Sequence, residues 1–406
     1  TEEVADDGPG DIVDLRDSAD DQPVIKLVNQ VIAQAVEQGA SDVHLEPDGK
    51  DLRVRFRIDG VLAETTSIPK RMVSGVISRV KIMGDLDIAE RRVPQDGRVS
   101  LTIDGHHVDL RVVTLPSVHG ESVVMRILDK GSIVMDLDRL GMGPSDHSRF
   151  RKAFSQAYGA VLVTGPTGSG KSTSLYASVA VVSSPETTIM TIEDPVEYRL
   201  PGVKQMQVFE RAGLTFQTGL RAIVRADPDI IMVGEMRDRE SARIAIEAAL
   251  TGHLVLSTLH TNDAPSAVVR LTEMGVEPFL VGSALDCVLA QRLARRLCPK
   301  CKESYLPTPQ YLQDVRFPWQ DGEELPELFR PVGCSACAKT GYKGRLALHE
   351  VMAVSEEIEK LTVEHASSLA IGKVAVEQGM ITLRNDGLLK VMAGVTSVEE
   401  IFRVVA

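Results

Sequence analysis

Residues 159–173 read GAVLVTGPTGSGKST, where a short apolar run leads into a glycine-rich loop that ends in a lysine and two hydroxyl residues. The run predicts a strand, and a helix is expected from Lys171 onward. Glycines let backbone N–H groups turn toward an anion, and a helix N-terminus favours negative charge. We therefore predict a phosphate-binding loop in which Lys171 reaches the β and γ phosphates and Ser172 holds Mg²⁺. The predicted nucleotide-binding residues are Gly165, Pro166, Thr167, Gly168, Ser169, Gly170, Lys171, Ser172 and Thr173.

Short apolar runs recur beyond this loop, at residues 188–192, 230–233 and 254–259, and helical stretches separate them. Continuous apolar strands that alternate with helices indicate a parallel sheet buried on both faces. The predicted fold class is therefore α/β. Aromatic residues make up only 4% of the 406 residues, so we expect a mainly aliphatic core. After Cys337 the pattern favours helices alone.

Polar residues follow each of these apolar runs, where the carboxyl edge of a parallel sheet would bring them together. Glu235 follows residues 230–233, and Gly234 stands where many phosphate-loop proteins carry an Asp that holds Mg²⁺. Glu193 follows the run at 188–192. Either glutamate is a candidate to polarise the attacking water, and Glu193 is also a candidate for the missing Mg²⁺ contact. His260 is a candidate to bind the γ phosphate or the water.

Four of the five cysteines form two CxxC pairs, Cys298 with Cys301 and Cys334 with Cys337. Each pair can occupy one edge of a tetrahedral ion, so the spacing predicts a structural Zn²⁺ site. The alternatives are a redox pair or free thiols. Cys287 lies in an apolar stretch that we predict to be a helix, as an inert core thiol. The nearby basic residues are either a solvated surface or a contact for a partner protein or a nucleotide; they are Arg292, Arg295, Arg296, Lys300 and Lys302.

The residues before the loop predict a separate, smaller domain. Residues 1–22 are acidic, and we expect a disordered linker there. Residues 23–130 begin with a helical apolar face and continue with alternating strands joined by Asp-Gly turns, which predicts an α+β domain with antiparallel hairpins. Residues 131–144 contain three glycines and a proline and are expected to form a hinge.

Composition limits the classes of partner. The net charge is −12, which argues against a broad nucleic-acid interface, so no DNA partner is expected. No apolar run is long enough to span a membrane. The absence of a guanine-reading Asn-Lys-x-Asp motif favours ATP over GTP. Because the chain does not begin with Met, we expect further residues upstream of it.

Beyond these inferences, the chain from about residue 23 resembles the secretion ATPases of type II secretion and type IV pilus assembly, the GspE, PulE and PilB group. Residues 191–198, TIEDPVEY, resemble the Asp box of that family, and residues 230–238, IIMVGEMRD, its atypical Walker B motif. Residues 251–264, TGHLVLSTLHTNDA, resemble its His box. The two CxxC pairs and GYKGR at 341–345 fit the assembly ATPases.

The resemblance implies a PAS-like domain before a hinge and a RecA-like ATPase domain at 145–406. That domain would include a zinc-binding insert at 298–345 and C-terminal helices at 346–406. It further implies a cytoplasmic hexamer that works with inner-membrane platform proteins and has no membrane span of its own.

The resemblance also assigns arginines to the ATP site. Arg111 and Arg126 match family residues that reach the γ phosphate from the first domain, and Arg221 and Arg225 match arginines of the ATPase core. The implied reaction is ATP hydrolysis coupled to extrusion of pilin or pseudopilin subunits. Two rival functions remain open, a nucleotide-switched scaffold with little turnover and a motor that translocates nucleic acid.

Overall fold

The computed structural model describes residues 13–14, 23–103, 106–129 and 136–405. These residues fall into two compact units, one on each side of the gap at residues 130–135. Residues 131–135 of the expected hinge and the Asp104-Gly105 turn lie outside the described residues. None of the described helices has both the length and the apolarity needed to cross a bilayer.

The first unit is one mixed sheet with two long helices. Its strand order is β1-β5-β6-β7-β2-β3-β4, and all neighbouring pairs are antiparallel except β1 with β5. Its elements are β1 (Val13–Asp14), α1 (Pro23–Glu37), β2 (Ala40–Pro47), β3 (Asp51–Ile58), β4 (Val61–Pro69), α2 (Lys70–Met83), β5 (Gln95–Ile103), β6 (His106–Ser117) and β7 (Gly120–Asp129).

The core of this unit forms where the apolar faces of α1 and α2 pack on the apolar positions of the strands. Val28, Ile32 and Ala35 recur at helical spacing in α1 and are all buried. The hairpins expected at 23–130 are present. Within the expected linker, Val13 and Asp14 pair in parallel with Leu101 and Thr102 of β5. The other residues of 1–22 lie outside the described part.

The second unit is built on a seven-stranded sheet of order β10-β9-β11-β12-β8-β13-β16, in which only β13 and β16 are antiparallel neighbours. Its first half contains α3 (Pro144–Phe154), β8 (Gly159–Thr164), α4 (Lys171–Val182), β9 (Ile189–Glu193), β10 (Lys204–Gln207), α5 (Phe216–Val224), β11 (Ile230–Val233), α6 (Arg239–Leu250), β12 (Leu254–Leu259), α7 (Ala264–Glu273) and α8 (Pro278–Ala284).

Its second half contains β13 (Leu285–Leu297), β14 (Glu303–Tyr305), α9 (Pro309–Asp314), β15 (Leu328–Arg330), β16 (Tyr342–Ala353), α10 (Glu356–Val363), α11 (Ser368–Glu377), α12 (Leu383–Met392) and α13 (Val398–Val404). The predicted α/β fold with a parallel sheet is confirmed. The strands β8, β9, β11 and β12 are buried along their whole length, as their continuous apolar runs require.

Two predicted helical segments are strands. Cys287 lies in β13 and not in a helix, although it is buried as expected. The chain after Cys337 is not all helical either, because β16 occupies residues 342–353 before the helices begin. A continuous apolar run fits a buried helix or a buried strand equally well. Both segments are strands here because tertiary pairing is available to them: β13 pairs with β8, and β16 then pairs with β13.

Candidate functional site

The glycine-rich loop joins the fully buried strand β8 to the N-terminus of α4. Gly165 and Gly170 have φ angles of 150° and 88°, which L side chains rarely adopt. A Cβ on Gly165 would lie 2.4 Å from the carbonyl oxygen of Gln291, and one on Gly170 would lie 2.8 Å from the Nε2 atom of Gln291. The loop therefore needs glycine both for its conformation and for its contact with β13.

Two polar groups of the loop point to a phosphate ligand. The Nζ atom of Lys171 donates to the carbonyl oxygens of Gly165 (2.9 Å) and Pro166 (3.1 Å), so it lies under the loop. Burial lowers the pKa of Lys171 to about 8, against the opposing charge of Glu235. The Oγ atom of Ser169 is buried without a hydrogen-bond partner. A buried cation and an unsatisfied hydroxyl beside free helix N–H groups suit an anion.

Glu235 lies beside this loop at the carboxyl edge of the sheet. Its carboxylate accepts a hydrogen bond of 2.6 Å from Arg237, and its Oε2 atom is 3.5 Å from Nε2 of His260. Burial raises the pKa of Glu235, but the hydrogen bond from Arg237 and the charges of Arg237, His260 and Lys171 together bring it below its usual value. The carboxylate is thus ionised and close to both Lys171 and His260.

Glu193 is placed differently, although it also ends a strand. Its side chain is buried and accepts hydrogen bonds from the Tyr176 hydroxyl, from Thr191 Oγ1 (2.7 Å) and from Gln205 Nε2 (2.9 Å). Burial, followed by the bond to Glu193, raises the pKa of Tyr176, so that hydroxyl stays a donor. Three donors occupy the Glu193 carboxylate, which ties α4 and β10 to β9.

Sequence reasoning missed a part of the site that comes from β13. Gln291 supports the loop and accepts a hydrogen bond of 2.7 Å from Ser174 in α4. Arg292 donates to the carbonyl oxygen of Asn262 (2.7 Å), next to the His260 strand end, and its charge acts on Lys171. In the sequence, Arg292 belongs to the basic residues near the cysteines, for which a nucleotide contact is one of the interpretations.

The other basic residues near the cysteines do not behave as one surface. Arg295 forms an ion pair with Glu400 and stacks over the Tyr342 ring at 4.0 Å. Lys302 donates to the carbonyl oxygen of Gly394 and lies 4.3 Å from the centre of the Phe329 ring. These two side chains stabilise the fold through contacts within the chain. They therefore fit neither a solvated surface nor a contact for a partner.

The four arginines assigned by resemblance fall in both units. Arg111 and Arg126 are direct cross-strand neighbours on β6 and β7, and Arg126 Nε lies 3.0 Å from Asp42 Oδ1 of β2. Arg221 is exposed on α5 and forms an ion pair with Glu240 of α6. Arg225 is exposed at the end of the same helix.

The four predicted zinc ligands form one cluster in which all four Sγ atoms lie within 4.8 Å of one another. Three of the Sγ–Sγ distances are 3.8–3.9 Å. A regular tetrahedron of thiolates with Zn–S bonds of about 2.3 Å has edges of about 3.8 Å. Backbone N–H groups of Cys334 and Gly341 donate to the Cys337 Sγ atom. Although burial opposes ionisation, these bonds lower the pKa of Cys337 to about 6. The donor set fits a zinc ion.

Together, the parallel sheet, the glycine-rich loop and the strand-end residues define a P-loop nucleotide-binding protein. Similarity to known proteins narrows this class. The sequence profile of the type II/IV secretion system protein family matches residues 17–403. The chain belongs to this family.

The curated relatives include type II secretion ATPases and type IV pilus assembly ATPases. The chain is 50% identical over 391 residues to the type II secretion system ATPase E of Vibrio cholerae, which covers 96% of this chain and 77% of that protein. It is also 50% identical over 383 residues to the type IV pilus assembly ATPase PilB of Thermus thermophilus, covering 94% of this chain and 43% of that protein.

Solved structures agree on the fold. The pilus retraction motor PilT with bound ADP matches with a TM-score of 0.60 at 24% identity, covering 92% of this chain and 95% of that one. The Legionella pneumophila ATPase DotB matches with a TM-score of 0.69 at 19% identity, covering 97% of this chain and 98% of that one.

Proposed function

We propose that this chain hydrolyses ATP to ADP and phosphate as the motor that assembles a type II secretion pseudopilus or a type IV pilus. The observation that carries the proposal is the convergence of Lys171, Glu235 and His260 at one end of the phosphate-loop strand. The names of the curated relatives support the pathway. The motor would work as a hexamer on the cytoplasmic side of the inner membrane, with platform proteins as partners.

The loop residues bind the triphosphate. Backbone N–H groups of Gly165 and of residues 167–172 donate to phosphate oxygens, as does the unsatisfied Ser169 hydroxyl. The Lys171 ammonium leaves its carbonyl partners to do the same. The exposed Ser172 hydroxyl, at the start of α4, would hold Mg²⁺. When bound, Mg²⁺ offsets the charge that develops on the phosphate oxygens.

Glu235 is the better of the two candidates to orient and deprotonate the attacking water. It is partly accessible, ionised, and held by Arg237 with an oxygen still directed toward His260. Glu193 is buried and its carboxylate already accepts three hydrogen bonds, so a proton taken from water would break that network. His260 orients the Glu235 carboxylate or the γ phosphate.

Arginines complete the site by stabilising charge in the transition state, because a guanidinium can bind two phosphate oxygens at once. Arg111 and Arg126 would act from the first unit, which takes the PAS-like role expected by resemblance, with a hinge near residues 131–144. Arg221 and Arg225 would act from the ATPase unit after Arg221 exchanges Glu240 for the nucleotide.

The four cysteines would hold a structural Zn²⁺. The supporting observations are the Sγ–Sγ distances and the N–H groups aimed at Cys301 and Cys337. Four thiolates leave no open position, so the ion would order the segment between the two pairs and take no part in hydrolysis.

Release of phosphate from ATP tests the proposal, with Lys171→Ala as the inactive comparison. We expect turnover that depends on Mg²⁺ and is lost in Lys171→Ala. Binding of ATP without turnover would favour the scaffold function, and strong stimulation by DNA with a steep salt dependence would favour a nucleic-acid motor. Light scattering with a non-hydrolysable ATP analogue tests the hexamer.

A further inference from the structure

The first unit contains a cavity of about 340 Å³ that the proposed motor function does not use. Its walls come from the turn between β2 and β3 (residues 47–51), residues 70–78 of α2, the turn between β6 and β7 (residues 116–121) and Arg91. All these residues belong to one unit. The volume lies within the range of small-molecule sites, so the cavity is large enough for a ligand of mononucleotide size.

The cavity is separate from the arginines that the proposed function directs toward ATP. Asp42, Arg126 and Arg111 are in register across β2, β7 and β6. The cavity residues Pro47, Glu121 and Pro116 lie five positions further along the same three strands. At a strand rise of about 3.3 Å per residue, the two sites are about 17 Å apart, at opposite ends of the sheet.

The charge of the cavity wall is basic, although the whole chain carries −12. Lys50, Lys70 and Arg91 line it, together with His119. The lining acid Glu121 already forms an ion pair with Lys81, which is buried behind the wall, and a longer one of 3.9 Å with Arg91, so Lys50 and Lys70 are the lining cations that Glu121 does not pair. With Glu121 neutralised in this way, Asp51 is the one other carboxylate in the lining. The wall therefore attracts an anion.

Donors and apolar surface share this wall. The α2 helix has no side-chain cap at its N-terminus and no acidic residue in its first turn, so its positive end meets no anionic side chain of its own. Ser74 and Ser78, one helical turn apart, add two hydroxyl groups to the lining. Val73 and Ile77 add an apolar strip on the same helix. The cations and hydroxyl groups can bind the oxygens of a phosphate, and the apolar strip can pack against a flat apolar group of the same ligand.

We infer that this cavity binds a small phosphate ester of mononucleotide size, with the phosphate between Lys50, Lys70 and the start of α2. The site is independent of the phosphate loop, so this inference does not depend on the proposed motor function. The same phosphate chemistry occurs on free nucleotides and on phospholipid headgroups. The apolar strip and the limited volume favour the free molecule.

AMP is the probe, and the full chain carrying Lys171→Ala is the background, which weakens binding at the phosphate loop. In this background we compare Lys50→Gln/Lys70→Gln and Ser74→Trp with the matched control Arg71→Gln. Arg71 is an exposed cation on the same helix that does not line the cavity. Equilibrium dialysis gives the AMP affinity of each variant, and ATP turnover of the same changes with Lys171 intact checks folding.

We expect the double lysine variant and Ser74→Trp each to weaken AMP binding at least tenfold, while Arg71→Gln binds as the background does. Turnover with Lys171 intact should be unchanged in all three. Equal AMP affinity in the double lysine and Arg71→Gln variants would overturn the inference, as would no AMP binding in the millimolar range. Lysine-dependent binding to vesicles containing phosphatidylglycerol, without AMP binding, would overturn it in favour of a lipid headgroup.

Discussion

Replacing Cys301 by Ser tests the tetrathiolate site, and the structure sets the size of the effect. Leu312, Phe317 and Leu328 lie between the two CxxC pairs and are at most 6% exposed in the main core. Each such side chain stabilises by about 1.5–3 kcal/mol when buried. About 5–9 kcal/mol of burial therefore depends on a segment that the cysteines anchor. Loss of the ion should loosen this segment before the sheet unfolds.

The chain has a single tryptophan, and Trp319 lies within this segment, where its Nε1 atom donates to the carbonyl oxygen of Glu323. Tryptophan emission thus reports on the segment, and far-ultraviolet circular dichroism reports on the whole chain. For Cys301→Ser we expect zinc content to fall from about one per chain to near zero, with red-shifted emission and a segment transition at lower urea concentration than the global one.

Cys287→Ala is the matched control, because Cys287 is buried in β13 away from the cluster and is no ligand. It should lose stability through a core cavity while keeping its zinc. Zinc retained in Cys301→Ser with unchanged Trp319 emission would refute the reasoning. So would native protein that contains no zinc.

Three further predictions follow from single groups. Burial lowers the pKa of Lys171 to about 8, and phosphate binding needs the charged ammonium, so ATP affinity should fall about tenfold per pH unit above pH 8. Calorimetry should show proton uptake on ATP binding in that range. An ATP affinity that does not change above pH 8 would contradict this prediction. Burial raises the pKa of Asp146 to about 6, and neither carboxylate oxygen has a hydrogen-bond partner. Because the folded pKa lies above the unfolded value, the wild type loses stability as pH rises from about 4 to 6. Asp146→Asn should therefore be about 1–3 kcal/mol more stable than the wild type at pH 7 and equally stable below pH 4. Equal urea midpoints of the two proteins at pH 7 would refute this prediction. Arg126→Ala should lower ATP turnover at least tenfold with a smaller effect on ATP affinity, whereas Arg53→Ala, an exposed control on β3, should change neither; equal turnover in the two variants would remove Arg126 from the site.

The parts of the site that the sequence predicts are local in the chain. The loop at 165–172 joins one strand to the next helix, so its residue types and spacing carry the whole signal. The CxxC pairs are equally local, because each pair fixes two ligands on one turn. Strand-end residues such as Glu235 and His260 also follow directly from their apolar runs.

The missed parts depend on contacts between distant residues. Gln291 touches the loop only because β13 pairs with β8, and a continuous apolar run does not distinguish that strand from a helix. Glu193 and Glu235 look equivalent in sequence, yet Tyr176 and Gln205 reach only Glu193. Tertiary hydrogen bonding separates the two glutamates, and no local pattern contains that information.

The most direct test of the ATPase site is the turnover and ATP affinity of Glu235→Gln beside those of Glu193→Gln. With Glu235 as the base, Glu235→Gln keeps its ATP affinity while turnover falls by a factor on the order of 10²–10⁴. Glu193→Gln disturbs a buried hydrogen-bond network, so it should be less thermally stable than the wild type but retain a higher turnover than Glu235→Gln. Unchanged turnover in Glu235→Gln would contradict the account.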